Sequence, residues 1–367
     1  MNRITSLTLP VLLLGACALG QETIPSSLML PDQTETPRMK KWTDYHYGMF
    51  IHFNINTFVG TEQVPNPPPA TTYAPTALDV DSWVRLAKDA GMKYAVLTAK
   101  HSGGFCLWDS KASFHGKEFE YDVAASGNKT DVVKAFMEAC KKYDIAPGLY
   151  YCLADSYANK SAPIPRLFRT GVLPDDSFEL AKAQLDELAT DYPECRYFWL
   201  DAPKTASVAQ QAALYDLLRR KNPDNVVLMN HHLAAGATSG DQALVENGKQ
   251  VAYPVDVLNT ESRQRPKGVV SRTQRWQDKT LFMGYEHCDI AGTHWFNTRS
   301  PKSAAALFQL YQMTRRNGGN LLLDVGPTPA GIIAPAFREP LLQLKERIDA
   351  FEKSLAETAK APENTKP

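Results

Sequence analysis

Short apolar runs alternate regularly along this chain with segments of helical period, and this alternation limits the folds that the chain can adopt. Alternating strands and helices imply parallel strand pairing with right-handed crossovers. Eight such runs predict a (β/α)8 barrel of the TIM type, with an open doubly wound sheet as the alternative. No G-x-G-x-x-G follows the first run, which counts against a dinucleotide-binding sheet. The predicted strands are 48–55, 93–100, 146–153, 195–202, 226–232, 256–262, 281–290 and 319–326.

The helical period is clearest between the first two predicted strands. Val80, Trp83, Val84 and Ala87 recur at the spacing of one helix face, and Gly91 is expected to end that helix. The last periodic segment starts near residue 336. The barrel is therefore predicted over 38–353, with a polar tail at 354–367.

The N-terminus carries an export signal rather than part of the fold. Arg3 precedes the apolar run 7–14, which is too short to span a bilayer and is typical of a secretory signal. The run ends in Leu-Gly-Ala before Cys17, which resembles a bacterial lipoprotein signal. We expect 1–16 to be removed, Cys17 to be lipidated and to anchor the protein to the bacterial envelope (periplasm or cell surface), and 17–37 to form a linker. Ordinary cleavage nearby, with Cys17 incidental, is the alternative.

Charge and cysteine spacing exclude several classes of function. The chain has 40 basic and 40 acidic side chains, and so lacks the basic field of a nucleic-acid-binding protein. None of the cysteines stands in a CxxC spacing, which argues against a structural zinc site. The cysteines after Cys17 are predicted to be mostly free and buried. They are Cys106, Cys140, Cys152, Cys195 and Cys288.

Acids, histidines and aromatic residues concentrate at the ends of the predicted strands. Functional residues of such barrels gather where strands end and the following loops begin. Aromatic faces pack on sugar rings, polar side chains bind hydroxyls, and two carboxyl groups cleave a glycosidic bond. The strand ends therefore predict a sugar site. The residues are His52, Glu62, His101, Tyr150, Tyr151, Asp201, Asn230, His231, His232, Glu261, Glu286, Trp295 and Phe296.

Three segments resemble glycoside hydrolase family 29, the α-L-fucosidases. GMFIHF at 48–53 is similar to the family's opening strand, and DAGMKYAVLTAKH at 89–101, continued by GFCLWDS, to its second unit. NGGNLLLDVGP at 317–327 resembles its final strand. The resemblance implies a divergent member with a (β/α)8 barrel. It also implies a retaining exo-hydrolase of fucosylated oligosaccharides or glycoconjugates that needs no metal or organic cofactor.

The resemblance also assigns the two catalytic carboxyl groups. Asp201 stands at the place of the family's nucleophile; the alternative is an acidic strand end that caps the next helix. Glu261 stands where several members carry the acid/base, which needs a pKa raised towards neutrality. Glu286, in a Tyr-Glu pair similar to the family's Trp-Glu, is the alternative acid/base or a supporting residue. Glu62 and Glu246 stay open for the same role, and any of these glutamates could instead be a solvated loop residue.

Sugar contacts are implied at several strand ends. We expect Tyr151 rather than Tyr150 to contact the sugar, since adjacent strand residues face opposite sides. Trp295 is expected to pack against the fucose methyl group, and His232 stands nearest an arginine of many members. The expected contacts are His52, Glu62, His101, Tyr151, His232 and Trp295.

The chain departs from the family pattern in three places. KHSGGF at 100–105 replaces the common Lys-His-His-Asp-Gly-Phe, and Ala202-Pro203 replaces the glycine that usually follows the nucleophile. The C-terminal β-sandwich of many members is not expected. Two alternatives therefore stay open: a hydrolase of another α-L-glycoside, such as an α-L-galactoside, and a non-catalytic surface carbohydrate-binding lipoprotein. A metal hydrolase using His231 and His232 is disfavoured because adjacent strand residues point apart.

Overall fold

The computed structural model of the chain describes residues 27–159, 172–231, 236, 238–246, 249–262, 264–296 and 299–360. Among these residues, eight parallel strands close into a barrel, which confirms the predicted (β/α)8 architecture. Each predicted strand corresponds to one of them. The barrel strands are β1 Tyr47–Ile51, β2 Tyr94–Lys100, β3 Ala146–Cys152, β4 Tyr197–Asp201, β5 Val226–Met229, β6 Val257–Glu261, β7 Gly284–Ile290 and β8 Asn320–Asp324.

Helices follow most of the barrel strands. The unit between β6 and β7 is irregular: its described residues form an antiparallel hairpin, Thr273–Trp276 with Lys279–Phe282, instead of a helix. Smaller hairpins pair Ser113–Phe114 with Lys117–Glu118 and Val245–Glu246 with Lys249–Gln250. The helices are α1 Pro37–Thr43, α2 Ile55–Val59, α3 Val80–Asp89, α4 Val132–Tyr143, α5 Asp175–Asp191, α6 Val208–Lys221, α7 Asp241–Leu244, α8 Ala304–Arg316 and α9 Arg338–Lys360. Short 3-10 turns are Ala70–Thr72, Val123–Ala125, Pro203–Thr205 and Pro335–Phe337.

Alternation along the strands separates two apolar regions. Phe50, Tyr150 and Trp199 point into the barrel and pack on one another there. Their chain neighbours, such as Met49 and Tyr151, point outwards and join the layer between strands and helices. The inward aromatic rings thus fill the barrel beneath its carboxyl-terminal end and form a floor for any site at that end.

The helix α3 shows how local sequence sets these elements. Its predicted apolar face is buried, and the Asp79 side chain accepts a 3.0 Å hydrogen bond from the Ser82 amide at its start. Gly91 follows the helix with φ of +80°, a conformation that glycine adopts without strain. The predicted helix and its end are therefore confirmed.

Most predicted boundaries differ from those of the structure by one to four residues, and three of the differences have a clear local cause. The first strand ends at Ile51 rather than at 55, because the Asn54 side chain caps the short helix α2. The seventh begins at Gly284 rather than at 281, because Leu281 belongs to the preceding hairpin. The last helix begins at Arg338, after a 3-10 turn, rather than near 336.

One seam of the barrel has little backbone pairing. The strands β5 and β6 pair at a single position, Leu228 with Val257, whereas β1 and β2 pair at four. At the lower end of the seam, the Asp256 side chain accepts a 2.9 Å hydrogen bond from the Val227 amide. Side chains therefore supply part of the closure that backbone bonds supply elsewhere.

The five predicted buried cysteines are free and buried, as expected. In the described part of the chain, no helix combines the length and apolar character needed to cross a bilayer. The expected signal at 1–16 and the lipidation residue Cys17 lie outside the described residues, as does the end of the polar tail.

Candidate active site

Asp201, the last residue of β4, lies at the carboxyl-terminal mouth of the barrel and is half-buried. Three groups donate hydrogen bonds to its side chain. The Tyr150 hydroxyl donates to Oδ2 at 2.6 Å, and the Ala202 amide and the Asn230 side-chain amide donate to Oδ1 at 2.8 and 2.9 Å. Because a carboxylate only accepts, this set of donors suits an ionised Asp201 held in one orientation.

Ala202 holds a backbone conformation that glycine would favour. Its φ and ψ are +55° and +36°, in the left-handed region that costs a residue with a Cβ about 1–2 kcal/mol. In this conformation the Ala202 amide reaches Asp201, and the Thr205 hydroxyl donates to the Ala202 carbonyl at 2.7 Å. The alanine thus keeps the local geometry that the glycine of the family pattern would give.

Glu261, the last residue of β6, lies across the mouth from Asp201. The Asn230 Nδ2 atom that bonds to Asp201 also donates to Glu261 Oε1 at 3.0 Å. The two distances limit the separation of the two acceptor oxygens to about 6 Å. Retaining glycosidases hold their carboxyl groups about 5–5.5 Å apart, and inverting enzymes about 6.5–9.5 Å.

Burial of Glu261 raises its pKa to about 8, and the negative charge of Asp201 acts in the same direction. The hydrogen bond from Asn230 opposes this shift, because it stabilises the ionised form. At neutral pH Glu261 is therefore mostly protonated. A protonated carboxyl group beside an ionised one is the pairing that general acid catalysis next to a nucleophile requires.

Glu286 lies deeper, inside the barrel on β7, and is buried. Tyr94 donates to Oε2 at 2.7 Å, and Tyr197 and Trp199 donate to Oε1 at 2.9 and 3.0 Å. Burial raises its pKa to about 7, against the opposing effect of these hydrogen bonds. Its position among aromatic side chains suits a supporting residue better than a proton donor at the mouth.

Two histidines line the mouth on β1 and β2. The His52 Nδ1 atom lies 2.8 Å from Asp324 Oδ1, and His101 Nδ1 lies 3.3 Å from Asn56 Nδ2. Burial lowers the pKa of each histidine to about 3, so both rings are neutral. The His101 Nδ1 atom also lies 3.2 Å from the Ser102 hydroxyl, so this ring nitrogen is held from two sides. Neutral imidazoles of this kind suit contacts with sugar hydroxyls.

Aromatic rings form one wall beside these histidines. The Trp295 ring lies 5.0 Å from the His52 ring, and the Phe296 ring lies 5.1 Å from it and 4.8 Å from His101. Tyr150 stacks on His101 at 5.0 Å. The wall offers an apolar surface for the C–H groups or the methyl of a sugar.

Glu62 lies on the loop after α2, at the rim of the mouth. The residue is exposed, but partial burial of its carboxyl group raises its pKa, and the charge of Asp201 adds to this rise. A cavity of about 630 Å³ lies between this loop and the loop after β7, with Glu62, Trp295 and Phe296 among its lining residues. It therefore opens directly beside the aromatic wall.

The prediction that Tyr151, rather than Tyr150, faces the site is wrong, because the alternation of side chains along β3 is the reverse of the one predicted. Tyr150 faces the interior, whereas Tyr151 points outwards and donates to Gln184 Oε1 on α5 at 2.7 Å. The Lys100 ammonium group lies 4.3 Å above the Tyr151 ring and pairs with Asp155. Tyr151 is therefore part of the packing between strand and helix.

Sequence reasoning missed the role of two amides. The sequence pattern marks Asn230 only as a strand end and gives no role to Asn259, whose Nδ2 donates to Asn230 Oδ1 at 2.7 Å. The position of Asn230 directly after β5 is the available signal. His232 and the side chain of Glu246 lie outside the described residues. In the described part of the chain, no group of three or more acids, histidines or cysteines is arranged to hold a metal ion.

Comparison with known proteins places these features in a family. The family model described as alpha-L-fucosidase matches residues 67–350. Alpha-L-fucosidase 1 of Arabidopsis thaliana is 26% identical over 97% of this chain and 69% of its own length. The bovine (Bos taurus) tissue alpha-L-fucosidase is 26% identical over 90% of this chain and 73% of its own length.

Solved structures share the fold. An alpha-L-fucosidase of Bacteroides thetaiotaomicron, trapped as a covalent intermediate, is 20% identical over 90% of this chain and 79% of that one, with a TM-score of 0.68. The enzyme of Lactobacillus casei with its alpha-L-fucose product is 21% identical over 87% of this chain and 100% of that one, with a TM-score of 0.63. Because the family model covers most of the sequence, the chain belongs to the alpha-L-fucosidase family of glycoside hydrolases.

Proposed function

We propose that this chain is a retaining exo-α-L-fucosidase that releases terminal α-L-fucosyl residues from oligosaccharides or glycoconjugates. One observation carries the mechanism: a single Asn230 nitrogen bonds both Asp201 and Glu261, which holds one oxygen of each carboxyl group within about 6 Å of the other. That distance leaves room for the anomeric carbon and its leaving oxygen but not for a water between base and sugar. The family membership and the relatives' names support fucose as the sugar.

The reaction proceeds in two displacements. In the first, an ionised Asp201 oxygen attacks the anomeric carbon, and the bond from that carbon to the leaving oxygen breaks. The leaving oxygen keeps the electron pair and takes the proton of Glu261. In the second, a water oxygen attacks the same carbon and gives a proton to the ionised Glu261, and the bond to Asp201 breaks to restore its carboxylate.

The remaining residues of the mouth orient the sugar. The His52 ring is held by Asp324 and lies 5.6 Å from the His101 ring, so the two rings are placed to bind neighbouring hydroxyls. Trp295 and Phe296 supply the apolar wall for the fucose methyl group. The adjoining cavity is open to the leaving group.

Hydrolysis of an aryl α-L-fucoside tests the activity, and Asp201→Gly tests the nucleophile. We expect the variant to lose at least about 10³-fold in kcat, because loss of a nucleophile removes the covalent route. Asp224→Asn, an exposed acid at the amino-terminal end of β5, is the matched control and should keep wild-type rates. A 2-fluoro-fucosyl probe should label Asp201, as found by peptide mass. Equal rates for wild type and Asp201→Gly, or label elsewhere, would contradict the mechanism.

The sugar itself is tested by a panel of aryl glycosides. An α-L-galactoside differs from a fucoside by a hydroxyl on the carbon that packs on the aromatic wall. We expect this extra hydroxyl to lower kcat/KM, because the faces of the Trp295 and Phe296 rings offer it no hydrogen-bond partner. Higher kcat/KM on the galactoside would replace fucose in the proposal. Calorimetric sugar binding without turnover of any glycoside would instead indicate a binding protein.

We further propose that the protein is exported and anchored to the bacterial envelope through a lipid on Cys17. The short apolar run 7–14 followed by Leu-Gly-Ala-Cys supports this. Labelling with a radioactive fatty acid should mark the wild type and not Cys17→Ser. The variant should move from the membrane fraction to the soluble fraction; an unlabelled wild type would overturn the anchor.

A further inference from the structure

We propose that Asn230 is a positioning residue that serves both catalytic carboxyl groups in turn, as the negative charge of the site passes from Asp201 to Glu261 and back. The inference rests on the proposed function and adds a role that the sequence pattern does not assign. It follows from one contact: a primary amide with two N–H groups bonds one oxygen of each acid.

The Asn230 side chain is fixed so that it presents its donors to the acids. Asn259 Nδ2 donates to Asn230 Oδ1 at 2.7 Å, which leaves the Asn230 nitrogen facing the mouth. Asn259 is completely buried and Asn230 is 6% exposed, so water competes little for these bonds. The backbone amide of Asn230 also donates to the Leu200 carbonyl at 2.8 Å, one residue before Asp201. Asn230 is therefore tied to β4 by both backbone and side chain.

In the proposed reaction, the negative charge moves between the two acids that Asn230 bonds. Before the first displacement, Asp201 carries the charge and Glu261 the proton. In the glycosyl-enzyme, Asp201 is an uncharged ester and Glu261 is ionised. The pair thus holds one negative charge at both stages, on opposite sides of the Asn230 amide. Because each acid has its own N–H donor, the amide stabilises whichever carboxylate is charged without moving.

A purely structural role would have a different signature. Loss of a buried amide bond would lower stability and, with it, the amount of active enzyme, at every pH alike. Loss of a donor to ionised Glu261 instead destabilises its charged form, so the pKa of Glu261 rises. The basic limb of kcat/KM, where Glu261 loses its proton, would then move to higher pH.

Other titratable groups lie near Asp201 and Glu261 and bear on the pH dependence of the reaction. Tyr150 bonds to Asp201, Glu62 lies across the mouth, and the buried thiols Cys152 and Cys288 lie beside Asp201 and Glu261. Burial raises the pKa of both thiols and of Tyr150, so these three stay neutral over the working range. His52 and His101 are also neutral because burial lowers their pKa. Glu261 and Glu62 are therefore the groups whose change of charge would set the basic limb.

The test compares Asn230→Ala and the isosteric Asn230→Asp with Asn225→Ala. Asn225 is a buried amide at the other end of β5, bonded to the Leu218 carbonyl and remote from both acids. We expect Asn230→Ala to lose about 10²-fold in kcat/KM for an aryl α-L-fucoside and to shift the basic limb upwards by about one pH unit. Glycosyl-enzyme breakdown, measured by pre-steady-state kinetics, should slow as well. Asn225→Ala should keep the wild-type limb and both rates per folded molecule.

The outcomes separate the two proposals. An active wild type whose limb and rates are unchanged in Asn230→Ala overturns the role of Asn230 and leaves the fucosidase proposal intact. If Asn230→Ala does not fold, Asn230→Asp decides, because it keeps the shape and loses the amide donors; wild-type rates in it also overturn the role. An inactive wild type, by contrast, contradicts the proposed function itself. Melting curves of all variants report the folded fraction.

Discussion

Glu261 and Glu286 differ in what surrounds them, although both are glutamates whose pKa is raised by burial. Glu261, at the mouth, has a pKa near 8 and shares an amide with Asp201. Glu286, inside the barrel, has a pKa near 7 and receives hydrogen bonds from two tyrosines and a tryptophan. A raised pKa alone therefore does not mark the catalytic acid. The neighbouring carboxylate and the open mouth single out Glu261.

The contacts of Glu286 connect several strands of the barrel. Tyr94 begins β2, Tyr197 and Trp199 lie on β4, and Glu286 lies on β7. Its carboxyl group thus links three strands across the barrel interior. We expect Glu286 to affect stability where Glu261 affects catalysis.

Glu261→Gln should have the largest effect. It removes the proton donor, so kcat/KM should fall about 10²–10⁴-fold for a poor leaving group, or about 3–5 kcal/mol in the barrier. The loss should be smaller for an aryl fucoside with a good leaving group, which needs no protonation. In the wild type, kcat/KM should fall as pH rises through about 8, and this limb should be absent in the variant. A variant that loses the same factor on both substrates would show that Glu261 is not the acid.

Glu286→Gln should change stability with pH. The folded pKa of about 7 lies above the ordinary 4.5, so the folded state holds this proton more tightly. The resulting stabilisation is fully present below pH 4.5 and is lost as pH rises to about 7, by about 3 kcal/mol. Denaturant unfolding of wild type and variant across this range should show the difference. Parallel pH dependences would mean that Glu286 does not titrate there.

The tyrosine pair on β3 sharpens the contrast between the inside and outside of the barrel. Tyr150→Phe removes a donor to Asp201 and should lower kcat/KM about 10–100-fold. Tyr151→Phe removes only the bond to Gln184 and should cost about 1 kcal/mol of stability with unchanged kcat/KM. Rate assays and melting curves on both variants check this; a larger loss of activity in Tyr151→Phe would contradict the assignment.

Ala202→Gly should have the smallest effect. Relief of the left-handed alanine should raise the free energy of unfolding by about 1 kcal/mol, offset in part by the greater freedom of glycine in the unfolded chain. Activity should stay within about twofold, because the amide bond to Asp201 is kept. Ala206→Gly, a nearby alanine in extended conformation, is the control and should lose stability instead. Lower stability in Ala202→Gly would show that its backbone is not strained.

The sequence predicted the barrel well because its signal is repeated. Eight alternations of strand and helix period agree with one topology, so single errors at Asn54 or Leu281 move a boundary without changing the fold. The predicted barrel in turn places the functional residues at the strand ends. There, the position of Asp201 at the mouth agrees with its expected place, while its role as nucleophile stays a prediction.

Other parts of the site depend on three-dimensional facts that local pattern does not contain. Tyr150 and Tyr151 are identical neighbours, so only the phase of β3 against β4, with Tyr150 beside Trp199, decides which faces inwards. Asn230 acquires its contacts only when β4, β5 and β6 meet. An isolated asparagine at a strand end gives no sign of them.

The sparse backbone pairing between β5 and β6 has a consequence for how the protein folds. Where backbone bonds are few, the Asn259–Asn230 and Asn230–Glu261 contacts span the gap between the two strands. The same side chains therefore hold this seam of the barrel together and lie at the proposed catalytic site. During refolding, closure of this seam should coincide with the gain of turnover, with no closed but inactive intermediate. A bound sugar should stabilise the seam.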